Sequence, residues 1–359
     1  MESSSYSHQE ATQFDFPNAW RALRQDGGRA LFQFQALAQK GCVGKPAAPG
    51  EAAAASRQPP ATLSLLLAFA AIYLLWGSTY LGIHFALQSL PPLLLAGTRY
   101  LVAGGILYTF AHLRGTPRPT RRGWGAALLT GAGILAVGNG GVTLGQQYLP
   151  SGLTALLLAV IPLLVVVLGW FGGLAPRPTA WVAGGLALGV GGIFLLTRVV
   201  ATSHVARPGH AALGIGCVLL AALGSALGAL YASRHRAAAS PWLASGMQML
   251  CGGTLLLLSS GVRGELVSFR LASVTLASGL AFAYLVVFGS LLAFTAYGWL
   301  LQMVNPALAS TYAFVNPLVA MVLGWAVLGE QLSPRLLSSA ALIIGAVGLV
   351  IWDKLRARG

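Results

Sequence analysis

Two ionisable side chains lie inside long apolar stretches of this 359-residue sequence, Arg99 and His84. An arginine in hydrocarbon is costly and therefore needs a partner or a function. The planar guanidinium of Arg99 suits bidentate contact with the carboxylate of a bound solute, although it could instead bind backbone carbonyls or extend to the membrane surface. His84 can change charge near neutral pH, so it predicts either a proton-coupling residue or a hydrogen-bonded histidine at a helix end.

Acidic residues are missing from the same stretches. None occurs between Glu51 and Glu265, so a chain of carboxylates of the kind used by proton pumps is not predicted. The sequence has no H-E-x-x-H motif and no paired acids, which disfavours an enzyme embedded in the membrane. It also has no phosphate-binding loop of the G-x-x-x-x-G-K-[ST] type, which disfavours ATP-driven transport. No metal site or cofactor is predicted.

Further polar and aromatic side chains interrupt the apolar stretches. Trp76 and Tyr80 are four residues apart, so on a helix they share a face. Polar groups at membrane depth usually face a cavity or another helix, and each one singly could serve either purpose. As a set they predict a mixed aromatic and polar pocket for a small amphiphilic solute. The residues predicted to contact this solute are Trp76, Ser78, Tyr80, His84, Arg99, Asn139, Tyr297, Tyr312 and Asn316.

The elements that position these residues are predicted to be membrane-spanning helices. The chain is 56% hydrophobic and only 8% charged, with a mean hydropathy of +0.73, whereas an ordinary soluble protein is about 25% charged. Apolar runs of about 20 residues match the thickness of a bilayer. Their apolar residues are continuous rather than alternating, which disfavours strands. The fold class is therefore all-α and polytopic. The net charge of +14 lies in the tails and short connections, so it predicts contact with lipid headgroups and no nucleic acid partner.

Ten spans are predicted between two tails. Residues 1–60 are predicted to be a disordered cytoplasmic tail, although residues 19–40 could instead form an amphipathic helix on the membrane surface. Residues 353–359 form the second cytoplasmic tail. The spans cover 62–87, 92–113, 123–146, 151–173 and 178–197 in a first unit, 62–197, and 211–233, 242–260, 273–301, 306–328 and 335–352 in a second unit, 211–352.

The second unit repeats the first. IPLLVVVLGW at 161–170 and NPLVAMVLGW at 316–325 share six of ten residues, including Pro162 and Pro317. Because five spans are repeated, the second copy must enter the membrane from the opposite side, which makes the units inverted repeats. Prolines at corresponding positions predict paired hinges, although each proline could instead only shape helix packing. Basic residues are more numerous in the connections on the side of the membrane where the N-terminus lies, so both termini are predicted to be cytoplasmic.

Four sequence segments resemble the EamA family of drug/metabolite transporters. They are WGSTYLGIHFAL, PPLLLAGTRYLVAGG and QQYLPSGLTALLLAVIPL in the first half, and ALASTYAFVNPLVAMVLGWAVLGEQLS in the second. The resemblance implies a ten-helix inner-membrane exporter of amino acids, metabolites or drugs that works by alternating access. It also implies a central cavity lined by helices 1, 3, 4, 6, 8 and 9.

The sequence departs from the family pattern at two points. The Gly-Glu pair that often ends the fourth helix of a repeat is present as Gly329-Glu330 and missing from the first half. The basic residue late in helix 1, often lysine, is His84. The predicted partners are a small-molecule substrate and the lipid bilayer. The sequence allows coupling to protons or to a second solute, and it allows either a monomer or a homodimer. A lipid scramblase or a channel-like protein is the alternative function.

Overall fold

The computed structural model describes residues 62–174, 177–202, 210–235, 240–304 and 311–356. The predicted tail at 1–60, its alternative amphipathic helix, and residues 357–359 lie outside the described residues, as does the predicted beginning of the ninth span. The described helices belong to one compact unit of the chain.

Ten helices correspond in order to the ten predicted spans, with ends that differ by a few residues. In the first half they are α1 (Thr62–Ala86), α2 (Pro92–Leu113), α3 (Arg121–Gly145), α4 (Ser151–Phe171) and α5 (Ala180–Thr202). In the second half they are α6 (Ala211–Arg234), α7 (Pro241–Val262), α8 in three consecutive segments (Leu276–Tyr284, Leu285–Leu292 and Ala293–Met303), α9 (Tyr312–Leu328) and α10 (Pro334–Arg356). Only single turns of helix, Glu265–Ser268 and Leu271–Ser273, lie between α7 and α8, and the described residues contain no strand.

The lengths and composition of these helices suit a bilayer. Eight of those described are long and apolar enough to cross it, and two shorter apolar helices lie at Ala180–Leu196 and Val315–Leu328. The prediction of an all-α polytopic membrane protein is confirmed.

The helices pair in a pattern that does not change when the two halves are exchanged. Helix α2 packs on α7 and α5 packs on α10, so each of these helices contacts its own counterpart. Helix α3 packs on α6 just as α8 packs on α1, and α4 packs on α6 just as α9 packs on α1. Such a pattern is that of a pseudo-two-fold axis between the halves. Because each half has five helices, corresponding helices run in opposite directions across the membrane.

A π-helical segment interrupts the third helix of each half. It covers Ala132–Asn139 in α3 and Leu285–Leu292 in α8. The beginnings of these two helices are also alike, because Thr120 caps the N–H of Gly123 and Thr275 caps the N–H of Ser278. Segments of π-helix are rare and often occur at functional sites, because they displace side chains and carbonyls from the regular helical register.

The two membrane faces of the bundle differ in charge. At one face α1 ends and α2 begins, and this face carries Glu265 and Glu330; we refer to it as the glutamate face. At the other face α2 ends and α3 begins; its connection contains Arg114, Arg118, Arg121 and Arg122, and we refer to it as the basic face.

The two faces also differ in packing. Among the described residues, one hydrophobic cluster near the glutamate face takes buried side chains from every helix except α7; examples are Ile83, Leu157, Val218, Leu285 and Ile343. A cluster around Tyr100 joins α2, α3, α7 and α8 further inside. Near the basic face the described residues form three separate clusters, around Met247, Ile72 and Val347. The central helices therefore converge at the glutamate face and separate into groups toward the basic face.

Candidate functional site

Four aromatic rings from α1, α8 and α9 form a cluster between the basic face and the membrane centre. The ring centroid of Trp76 lies 4.8 Å from Tyr312, 5.2 Å from Tyr297 and 5.4 Å from Phe294. The indole N–H of Trp76 donates to the carbonyl of Gly289, 3.2 Å away, in the π-helical segment of α8. Trp76 is thus fixed by one polar bond and by several edge or tilted ring contacts.

The aromatic cluster depends on a close crossing of α1 and α9. Gly77 lies at the crossing, where an added Cβ would come within 2.6 Å of the Val319 Cβ, so only glycine allows this approach. The Asn316 amide nitrogen lies 3.2 Å from the carbonyl of Tyr312 and 3.3 Å from the carbonyl of Tyr73 and donates to both. Asn316 therefore ties the backbone of α9 to that of α1 directly beside the cluster.

Arg99 reaches the same π-helical segment from α2. Its side chain is 5% exposed, and its Nε donates to the hydroxyl of Ser290 at 2.8 Å. A Cβ on Gly289 would lie 2.8 Å from a terminal guanidinium nitrogen of Arg99, so the missing side chain of Gly289 is what lets the cation lie against α8. Arg99 and Trp76 consequently meet consecutive residues of α8, one through a hydroxyl and the other through a carbonyl.

The acidic residues that the structure describes are engaged away from Arg99. Glu265 forms an ion pair with Arg263 at 3.6 Å, and Asp353 accepts from the Thr179 hydroxyl at 2.7 Å. Glu330 binds the beginning of α4. Within the described ranges, Arg99 therefore has no carboxylate partner.

Ser78 joins the site through a residue that the sequence analysis did not single out. Its hydroxyl lies 2.5 Å from the phenol oxygen of Tyr284 and also donates to the carbonyl of Leu74. Tyr284 immediately precedes the π-helical segment. Trp76, Ser78 and Arg99 thus all contact α8 within the stretch from Tyr284 to Ser290.

Three of the residues predicted to contact a solute lie outside this group. Tyr80 packs against the large cluster near the glutamate face, and its carbonyl accepts from the amide of Gln146 at 3.0 Å. The His84 ring lies near the same face, edge-on to Phe85 at 5.8 Å. Asn139 donates to the carbonyl of Ile134 within its own π-helical segment at 3.3 Å.

The paired prolines have different local structures. Helix α4 divides into Ser151–Leu158 and Ile161–Phe171, so it is interrupted just before Pro162. Pro317 lies inside Tyr312–Leu328, which continues through it. A hinge role for either residue stays a prediction, and the two positions are not geometrically equivalent.

Sequence reasoning missed Phe294, Tyr284, Gly289 and Ser290. One signal could have directed attention to α8: a glycine followed by a polar residue occurs in the third span of each half, as Gly138-Asn139 and as Gly289-Ser290. The described residues contain no group of histidine, cysteine or acidic side chains that could hold a metal ion. The chemistry available here is non-covalent: hydrogen bonding, aromatic packing and a buried positive charge.

Comparison with known proteins gives the family. The model of the EamA-like transporter family matches residues 62–198 and again residues 212–352. The chain belongs to the EamA-like transporter family. It is a membrane transporter built from two copies of the family's repeat.

Individual relatives cover most of the chain. The uncharacterized inner membrane transporter YedA of Escherichia coli (strain K12) is 38% identical over 81% of this chain and 92% of its own length. The uncharacterized transporter YvbV of Bacillus subtilis (strain 168) is 28% identical over 81% and 92%, respectively. A solved crystal structure shares the fold with a TM-score of 0.56 at 19% identity, over 83% of this chain and 99% of the other.

Proposed function

We propose that this protein is a secondary carrier that exports small metabolites, amino acids or drug-like solutes from the cytoplasm by alternating access. In this proposal the solute binds between α1, α2, α8 and α9, next to Trp76 and Arg99. The protein lies in the inner membrane with its basic face toward the cytoplasm.

The observation that carries this proposal is the exchange symmetry of the helix pairing. If the two halves pack on each other in equivalent ways, then exchanging their conformations gives a second arrangement with the same set of contacts, open to the opposite face. The packing of the described structure supports its assignment to one of these two arrangements, the one that is open to the basic face. Its central helices converge at the glutamate face and form separate clusters toward the basic face.

The proposed orientation follows from the charge of the basic face. The connection between α2 and α3 is rich in arginine, as cytoplasmic connections are. Tryptophans near helix ends also collect at this face: Trp124, Trp181 and Trp242 lie near the beginnings of α3, α5 and α7, and Trp352 lies near the end of α10. Tryptophan is enriched at both interfaces between hydrocarbon and headgroups, so these residues mark the boundary of the bilayer at this face rather than its orientation. The names of YedA and YvbV, both transporters and YedA of the inner membrane, agree with the proposed transport function and with the proposed membrane.

Solute counterflow tests the proposal. The purified full-length chain is reconstituted into liposomes loaded with unlabelled solute, and uptake of a labelled trace of the same solute is followed, with and without an imposed pH gradient. The panel contains amino acids, organic carboxylates and organic cations, and protein-free liposomes are the control. A carrier accumulates the label transiently and only when the loaded solute is present, because exchange requires binding from both sides.

The alternatives give different results. A channel-like protein equilibrates the label without any dependence on the loaded solute. A scramblase moves fluorescent lipid between leaflets in the same vesicles and shows no counterflow. Either result would overturn the carrier proposal.

A further inference from the structure

A buried cation with unused hydrogen-bond donors lies at the centre of the site. A guanidinium has five N–H donors in a fixed plane. The Nε–H of Arg99 is used by Ser290, and the described residues offer no hydrogen-bond acceptor to the other four. The aromatic ring of Tyr100 lies 5.0 Å from the guanidinium carbon and contributes a weak cation–π contact. The charge of Arg99 therefore has no counter-ion among the described residues, and four of its donors are free to bind a ligand.

Resting on the proposed function, we propose that Arg99 and Ser290 form the anion subsite of the carrier, and that its solutes are small organic anions with one carboxylate group and an apolar body. Ser290 holds one edge of the guanidinium, so the remaining donors are presented as a fork. That fork matches the two oxygens of a carboxylate.

The neighbouring groups define the rest of the solute. Trp76 binds the Gly289 carbonyl, so the aromatic cluster begins one residue away from Ser290 on α8. An apolar or aromatic body attached to the carboxylate would lie against this cluster. Two adjacent residues of the π-helical segment of α8 therefore position the two solute-binding groups: Gly289 binds Trp76, and Ser290 binds Arg99.

Charge balance favours a net anion over a zwitterion or a cation. The three described acidic residues are bound at the membrane faces, so the described part of the site offers no carboxylate to an ammonium group. An anion neutralises Arg99, whereas a cation adds a second unpaired positive charge.

Three probes with the same phenylethyl body separate these cases: 3-phenylpropionate is an anion, phenylalanine is a zwitterion and phenethylamine is a cation. Binding of each probe to the purified full-length protein is measured from the shift in its thermal unfolding midpoint and by isothermal titration. The expected order is 3-phenylpropionate first, then phenylalanine, with phenethylamine weakest. Stronger binding of phenethylamine than of 3-phenylpropionate would overturn the anion subsite.

Variants assign the effect to the subsite. Arg99→Gln should weaken 3-phenylpropionate binding about 10- to 100-fold, the range for a lost charge-assisted bond, and Ser290→Ala about 2- to 5-fold. Arg99→Lys keeps the charge without the fork, so its loss of binding should lie between the losses for Arg99→Gln and Ser290→Ala. It also serves as the test variant if Arg99→Gln does not fold. Arg270→Gln, at an exposed arginine, is the matched control and should bind like the wild type. Unchanged binding in Arg99→Gln and Arg99→Lys would refute the inference.

Counterflow in liposomes separates the two proposals. Counterflow of phenethylamine without counterflow or binding of 3-phenylpropionate keeps the carrier and removes the anion subsite. Binding of 3-phenylpropionate that depends on Arg99, without counterflow of any probe, keeps the subsite and removes the carrier.

Discussion

Glu330 binds Ser151 through both the backbone N–H and the hydroxyl, each at 2.8 Å from Oε1, while its Oε2 accepts from the N–H of Gly152 at 3.1 Å. The carboxylate of the second half therefore caps the beginning of α4 in the first half, where the helix dipole favours negative charge. Gly329 makes this possible, because its left-handed backbone (φ 66°) ends α9 and turns the chain toward α4. The bond links the two halves at the glutamate face.

Glu265 makes a second link of the same kind. Its Oε2 accepts from the N–H groups of Leu93 and Leu94, each at 3.0 Å, at the beginning of α2. No acidic residue occurs between Glu51 and Glu265 in the sequence, so the first half has no carboxylate to give in return. The pseudo-symmetry is thus broken by charge, and both carboxylate links join the two halves at the glutamate face.

Replacing Glu330 by glutamine should open the glutamate face more often. The amide oxygen can still accept one N–H, but the charge on the helix dipole is lost. Such a change is worth about 1 kcal/mol, or roughly a fivefold shift in an equilibrium. The measurement is the rate at which a polar thiol reagent modifies Leu153→Cys, a buried position on α4, in purified protein whose native cysteines are replaced by serine.

The control for this experiment is Asp353→Asn. It removes a carboxylate at the basic face, where Asp353 accepts from Thr179, and should leave the modification rate of the cysteine unchanged. An equal rate in the Glu330→Gln and parent proteins would show that the carboxylate does not hold the face closed.

Gly324→Ala should have the same effect without any change of charge. An added Cβ would collide with the Glu330 carboxylate and lie 2.8 Å from the Ser151 hydroxyl, so the carboxylate must move away from α4. The matched control is Gly345→Ala on α10, where a Cβ meets nothing within 4 Å. Faster modification of Leu153→Cys in the Gly324 variant alone is expected; equal rates in both variants would contradict the steric link.

The fold followed from the sequence because its main determinants are local and repetitive. Apolar runs of bilayer length predict helices whatever their neighbours are, and the odd number of repeated spans gives the inversion. The grouping of Trp76 with Tyr297 and Tyr312 also followed, since aromatic and polar groups at membrane depth tend to face the protein interior.

The rest of the site depends on contacts that no local pattern predicts. In the sequence, Ser290 is one of many small residues in apolar segments, and only the structure shows that it binds Arg99. Glu330 was identified only as part of a motif, and its partner Ser151 is 179 residues away in the chain. The sequences around Pro162 and Pro317 are alike, yet the helix is interrupted before Pro162 and continuous around Pro317. Tertiary packing decides how each helix responds to the missing N–H.

Trp76→Phe should slow counterflow while leaving the protein folded. Phenylalanine keeps ring contacts with Tyr297 and Tyr312 but cannot donate to the Gly289 carbonyl. A hydrogen bond of this kind contributes about 0.5–1.5 kcal/mol, so transport should fall roughly 2- to 10-fold if the bond positions the site. Trp325→Phe on α9, at a residue that is 57% exposed, is the control and should transport normally. Normal transport by Trp76→Phe would show that the hydrogen bond to Gly289 contributes to packing and not to transport.

Pro162→Ala should slow counterflow more than Pro317→Ala, with expression near normal for both. Alanine supplies the missing N–H, and at position 162 it lets α4 close the interruption at Ala159–Val160 and become one stiff helix. At position 317 it adds a single bond to a helix that is already continuous, so the change in bending is smaller. Pro334→Ala is the control, because proline at the first position of α10 lacks an N–H that the helix does not need. Unchanged rates in both variants would remove the hinge from the transport cycle. Equal slowing would mean that the interruption of α4 is not what allows it to move.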